Sequence, residues 1–376
     1  MLRREFVGAS LAAAGGVAVA LRYRPGVESG SPGLPSAWSV VPVVGDGRWI
    51  DVEPPAEGIG YFDERPFSLA VTIEIRGRGN AANVRAATPV PVPHPEQKVG
   101  DMKIETQGCE ARIHAAGAGV AQLVVSAAAI GAGTVLRATA RYRLAVAKQY
   151  FGHQSERFPR VQAKPAPEIR GGYLLNSPGI ETGSSQVQRL LAAVRGPGDE
   201  HPWDLARRCW TWVRENIRPR IGPYTSVARA IDDRIGDCEE MAGVFVALCR
   251  RAGIPARLVW VPNHAWAEFH LVDEYGVGHW IPAHTACYSW FGWTGVHELV
   301  IQKGDRVTPV QTRTPQRLLE DWGQAMGPRP EFHWTAELTP LAVRDGEDPG
   351  PGGRVKHQSG EWKLAGHPLD SLLRPL

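Results

Sequence analysis

Apolar and polar positions change their rhythm twice along this chain. Between residues 67 and 75, Phe67, Leu69, Val71, Ile73 and Ile75 alternate with less apolar neighbours. From 136 to 144, Leu136, Ala138, Ala140, Tyr142 and Leu144 alternate with Arg137, Thr139, Arg141 and Arg143. Period two with one polar face predicts half-buried antiparallel strands. Turn signals such as Gly77-Arg78-Gly79-Asn80 and Gly131-Ala132-Gly133 separate them. Several short strands of this kind predict a β-sandwich over about 37–150.

A Pro-containing connector follows, and the period then becomes helical. Ser184-Ser185 offers a cap for a helix running to Arg195, stopped by Gly196-Pro197-Gly198. Pro202 opens a second helix with Leu205, Cys209, Trp212, Val213 and Ile217 at helical spacing. Ser226 caps a short third helix ending near Gly236. Asp237-Cys238-Glu239-Glu240 opens a fourth, with Met241, Ala242, Phe245, Leu248 and Cys249 on its stripe and Gly253 and Pro255 at its end. Strands over 257–261, 264–272 and 279–282 come next. Helices followed by an antiparallel run make an α+β domain over about 165–310. The remainder, 311–376, reads as a partly flexible extension with a helix from Pro315 to about Ala325 and a loose loop over 345–353.

Composition narrows the classes. The chain has 376 residues, enough for two domains, with 43% apolar and 22% charged residues and a net charge of +3. That small charge, with no Lys/Arg run and no basic-aromatic stripe, speaks against nucleic acid as a partner. The 42 glycines and 31 prolines favour short strands and turns. The first 20 residues read as a signal peptide. Arg3-Arg4 precedes an uncharged stretch from Phe6 to Leu21, and Ala18-Val19-Ala20 offers a cleavage site. The arginine pair resembles a twin-arginine signal. Export to the periplasm or the extracellular space is therefore expected, with 21–36 as a flexible lead-in. No stretch is long and apolar enough to predict a stable membrane span. The five cysteines, an odd number, leave at least one thiol without an intrachain partner.

Cys238 is the thiol with chemistry around it. At a helix start the unpaired N–H groups and the positive end of the dipole favour thiolate, the nucleophilic form. The same N–H groups can receive an oxyanion. Asp237, Glu239 and Glu240 work against the thiolate, so a nearby imidazolium is required. His264 is the natural supplier. It starts the strand His264-Ala265-Trp266-Ala267-Glu268-Phe269, in which His264, Trp266 and Glu268 share one face. A thiol nucleophile needs such a base, and the base needs an orienting partner on its other nitrogen. Cys209 and Cys249 fall on apolar stripes and read as core. Trp212 is a minor candidate for an oxyanion donor. Cys287 lies near enough to His284 to suggest a zinc set with Cys238 and His264. The spacing matches no compact metal motif, so no cofactor is expected.

Gly236-Asp237-Cys238, Gly253-Ile254-Pro255-Ala256-Arg257, His264-Ala265-Trp266-Ala267-Glu268 and Trp280-Ile281-Pro282 together resemble the bacterial transglutaminase-like superfamily over roughly 170–310. The resemblance implies a papain-like α+β fold, often preceded by a β-rich domain, and a Cys-His-Asp triad. Carried onto this chain, it makes Cys238 the nucleophile and His264 the base. The Asp position falls on His284, which supplies no fixed negative charge. Asp273, at the far end of the His264 strand, is too distant to take that seat, and Asn263, beside His264, would point to the opposite face. The expected activity is cleavage of peptide or protein amide bonds through a Cys acyl-enzyme, with hydrolysis favoured over crosslinking. The alternative is a non-catalytic binding or scaffold protein of the cell envelope.

Overall fold

The computed structural model describes residues 59–341, apart from 153, 154, 197, 199, 263, 287 and 289. The signal and lead-in readings, the loop over 345–353, Asn263 and Cys287 all lie outside the described residues.

Six strands come first: β1 (Gly60–Arg76), β2 (Ala81–Val90), β3 (Gln97–Gln107), β4 (Glu110–Gly117), β5 (Val120–Ile130) and β6 (Val135–Tyr150). Their alternation is the predicted one. Leu69, Val71, Ile73 and Ile75 of β1 and Leu136, Ala138, Ala140, Tyr142 and Leu144 of β6 all enter one core. The arginines between them stay outside, where Arg137 meets Glu74 and Arg141 meets Glu105. β1 and β6 pair antiparallel from Gly60↔Tyr150 to Arg76↔Val135.

The tail differs from its expected form. Residues 315–325 make no helix. β13 (Trp322–Met326) and β14 (Glu331–Pro340) instead complete the sandwich, giving sheets ordered β14-β1-β6-β3 and β13-β2-β5-β4. Glycine at 323 weakens any helix there by about 1 kcal/mol. Ten ladder positions against β1, Phe67↔Pro340 to Arg76↔Glu331, outweigh local propensity. The segment read as an extension thus returns to cap both N-terminal sheets.

The α+β domain lies between these two contributions to the sandwich. α1 (Pro167–Tyr173), α2 (Ser185–Val194), α3 (Pro202–Asn216), α4 (Val227–Asp233) and α5 (Cys238–Arg251) are its helices, with a two-residue parallel pair, β7 (Arg218–Pro219) and β8 (Ile235–Gly236), among them. Its sheet is β11-β10-β9-β12, from β9 (Ala256–Val261), β10 (His264–Val272), β11 (Gly278–Ala283) and β12 (Gln302–Lys303). The caps are those read from the sequence: Ser184 accepts from Val187 N–H and Ser226 from Arg229 N–H. α5 is buried on every side from Cys238 to Arg250. Ala265, Ala267 and Phe269 of β10 join its core, while Trp266 packs with Val259, Val261 and Val300.

The segment from His284 to Ile301 joins the two parts. Phe151 N–H donates to Gly292 O, Thr294 N–H donates to Gln149 O, and Gln149 N–H donates to the Thr294 hydroxyl. Further on, the buried Gln97 side chain donates to Val300 O and accepts from Val300 N–H, each within 3.0 Å. Leu299 and Ile301 enter the sandwich core itself.

Candidate active site

Cys238 is the first residue of α5, as its sequence context predicts, and its environment explains why the helix starts there. Asp237 is the N-cap: its carboxylate accepts from Glu239 N–H (2.9 Å) and Glu240 N–H (3.1 Å). Glu240 reaches back to Asp237 N–H at 3.0 Å and closes a capping box. The cap has a chemical consequence. Two of the first-turn amides expected to receive an oxyanion are already taken by Asp237. The Cys238 N–H is the amide at this end that the cap leaves.

The helix start also fails to depress the thiol. Burial and the Asp237 charge push Cys238 well above the ordinary thiol range. The Ala265 backbone, hydrogen-bonded to the sulfur, pulls the other way. The expected thiolate therefore needs a proton acceptor. The Ala265 bond puts the sulfur against β10, one residue from His264. Both side chains are buried, at 2% and 3% exposure. The acid cluster is partly neutralised from a distant segment: Arg317 pairs with Glu239 and lies 3.5 Å over the Tyr224 ring. Asp237 is nonetheless raised to about 7 by burial and by the charges of Glu239 and Glu240.

His284 follows the last residue of β11 and is fully buried. Its N–H donates to Trp290 O, and its carbonyl accepts from the Trp210 indole at 2.5 Å. Its ring lies 5.6 Å from that of His264, centroid to centroid, with planes 22° apart. The same ring lies 4.7 Å from Trp266, which shares the His264 face of β10. Tyr288 and Trp290 close on it edge-on, at 5.7 and 4.9 Å. Burial, and then the His264 charge, hold His284 well below the usual imidazole range, so it is neutral.

The structure thus brings Cys238, His264 and His284 to one buried end of α5 and β10. It leaves Asp273 elsewhere, bonded to His279 at 2.8 Å. Trp212 lies under Arg234, whose guanidinium is 4.5 Å from the ring. Cys209 and Cys249 are core residues. Two neighbours carried no sequence signal. Glu298 sits in an irregular segment, and Arg317 in the tail. Among the described residues no group of three or more His, Cys, Asp or Glu side chains is arranged to hold a metal ion.

Comparison with known proteins gives a family match over part of the chain. Residues 189–285 match the model of the transglutaminase-like superfamily. A curated relative is "Peptide-N(4)-(N-acetyl-beta-glucosaminyl)asparagine amidase" of Yarrowia lipolytica, 23% identical over 212 residues. The match takes in 52% of this chain and spans 58% of that relative's length. Among solved structures, a "Putative Cysteine Protease from Cytophaga hutchinsonii" aligns with a TM-score of 0.49 at 16% identity, over 75% of this chain and 100% of that one. A "Putative Protease from Parabacteroides distasonis" aligns at 0.23 and 11% identity, over 60% and 49%.

Proposed function

We propose that the protein is a thiol enzyme that cleaves amide bonds of peptides or proteins through an acyl-enzyme on Cys238. The observation that carries this is the buried meeting of three groups: a thiol at a helix start, the start of β10 with His264, and the His284 ring beside it. His264 takes the thiol proton as Cys238 attacks the carbonyl, and returns it to the leaving amine. The Cys238 N–H is the amide free of the cap to receive the developing oxyanion. Water then resolves the thioester. His284 orients His264 where a carboxylate is usual. The raised thiol fits a resting pair that is neutral and ionises as substrate enters. The amidase name of the curated relative supports the amide class. Hydrolysis is preferred to crosslinking, because crosslinking needs a device that excludes water. The signal-like first 20 residues support a substrate outside the cytoplasm, which fractionation of the expressing cell would test.

The same raised thiol favours a second reading, a domain that keeps the fold without the activity. Iodoacetamide labelling separates the two. The enzyme reading expects Cys238 alkylation above pH of about 8 to be at least about tenfold slower in His264→Ala than in wild type, and Cys238→Ala to remove at least about a thousandfold of turnover on a peptide-amide panel. Slow labelling together with unchanged turnover in Cys238→Ala sinks it.

A further inference from the structure

The third seat has something behind it. The Glu298 carboxyl lies 3.6 Å from His284 Nε2, Oε2 to nitrogen, on the segment that the sandwich holds in place. Its side chain is 12% exposed and the imidazole is fully buried. Neither His284 nitrogen has a hydrogen-bond partner among the described residues, and neither does Glu298 Oε2. Buried polar atoms are normally paired. These two groups face each other just beyond hydrogen-bond range, and a closure of a few tenths of an ångström satisfies both.

We propose that Glu298 is a positioning residue that supplies, through His284, the carboxylate the third seat lacks. The inference rests on the Cys238–His264 reading. Its content is a tautomer. With Glu298 ionised, His284 Nε2–H donates to the carboxylate, which leaves Nδ1 as an acceptor. Nδ1 then accepts the N–H of His264 that faces away from Cys238, and the other His264 nitrogen keeps a lone pair for the thiol proton. With Glu298 protonated the chain reverses. Its O–H donates to Nε2, Nδ1 carries the proton, and His264 is driven to the tautomer that cannot act as a base. The two states differ by one proton, taken up from solvent at the Glu298 carboxyl, and that proton selects the direction of two hydrogen bonds.

The surroundings let both states occur near neutrality. Burial pushes the Glu298 carboxyl up to about 8, while the Trp266 indole beside it pulls down. The other titratable groups around the pair are His264 and Tyr288, against the His284 ring. On the sandwich side, His297 is engaged by Asp63, which also meets Lys148 and Arg65.

Two measurements test this. The first is kinetic, on the full chain with a fluorogenic peptide amide and with iodoacetamide. Wild-type kcat should rise with an apparent pKa near 8. Glu298→Gln should lower kcat about a hundredfold with KM unchanged, and remove that ionisation. Glu298→Asp should recover part of kcat. A Glu298→Gln protein with kcat and pH profile within about twofold of wild type overturns the proposal while Cys238 alkylation stays fast. Slow alkylation in wild type would sink the enzyme reading instead. The second is nitrogen-15 NMR of wild-type imidazoles, which needs no folded variant. His284 should carry its proton on Nε2 above pH of about 8 and on Nδ1 below it. A tautomer that stays constant across that titration overturns the inference, whatever the activity.

Discussion

The sandwich and the α+β domain handle polar side chains in opposite ways. In β1 and β6 the charged residues stand outside and pair on the surface, as Glu74 does with Arg137. Such exposed pairs contribute little. The α+β domain instead buries Asp237, Glu239, Arg250, Arg257, His264, Glu268, His270, His284, Lys303 and Asp305. Some of these form closed networks: Arg250 grips Asp305 with two bonds of 2.8 Å. Others are under-satisfied, His284 most of all. The lesson is one of division. One region is stable through apolar alternation and can hold the other in place. The second keeps desolvated ionisable groups at the proposed site.

The two regions meet at Lys303, and the largest effect is expected there. Its ammonium is 2.5 Å from Glu268 of the α+β sheet and 2.6 Å from Glu96 of the sandwich, all three buried. Glu268 also holds Arg257 at 2.7 Å, and Arg257 lies 3.9 Å over the Trp280 ring. Lys303→Met leaves Glu96 without its cation, which costs about 3–5 kcal/mol. In calorimetry the single transition should split into two; one unsplit transition would show that the apolar contact alone joins the regions.

Next in size is a cavity in the sandwich. Ile73→Ala empties a fully buried site facing both sheets, so about 3 kcal/mol should be lost in denaturant titration. Cys238 alkylation should keep its rate below the melting point. If alkylation changes in step with stability, the sandwich does more than hold the segment of His284 and Glu298.

The smallest effect is in the pH dependence of stability. Asp237 and Glu298 are raised to about 7 and about 8, so the native state keeps protons that the unfolded chain has released. Stability therefore falls as pH rises between about 6.5 and 8, by about 1–2 kcal/mol. His94, His270 and His284 are lowered, and they act in the opposite sense below about 6.5, where the unfolded chain binds the extra proton. The optimum should lie near 6.5 in thermal melts. Glu298→Gln should flatten the alkaline arm, and an arm left unchanged would mean that Glu298 does not titrate there.

Much of this was legible along the chain, because it depends on near neighbours in sequence. Alternation set the faces of β1, β6 and β10, and Ser184, Ser226 and Asp237 marked three helix starts. A recurring order of short motifs singles out Cys238, His264 and His284 from the sequence alone. The thiol's state was not legible. In the sequence Asp237 is a charge near Cys238; that it also occupies the amides of Glu239 and Glu240 is revealed only by the folded cap. The tail departs from its sequence expectation for a related reason: the edges of β1 and β2 that recruit β14 and β13 lie more than two hundred residues away.

The sequence by itself determined which side chains could be nucleophile, base and orienter, since each is fixed by residue type and local period. Only the tertiary structure decided how they are served. It put Glu298 behind His284, Arg317 against Glu239, and a sandwich sewn from both ends of the described chain around the segment that carries the carboxyl. Charge and desolvation act through space, over distances that the spacing of letters does not record.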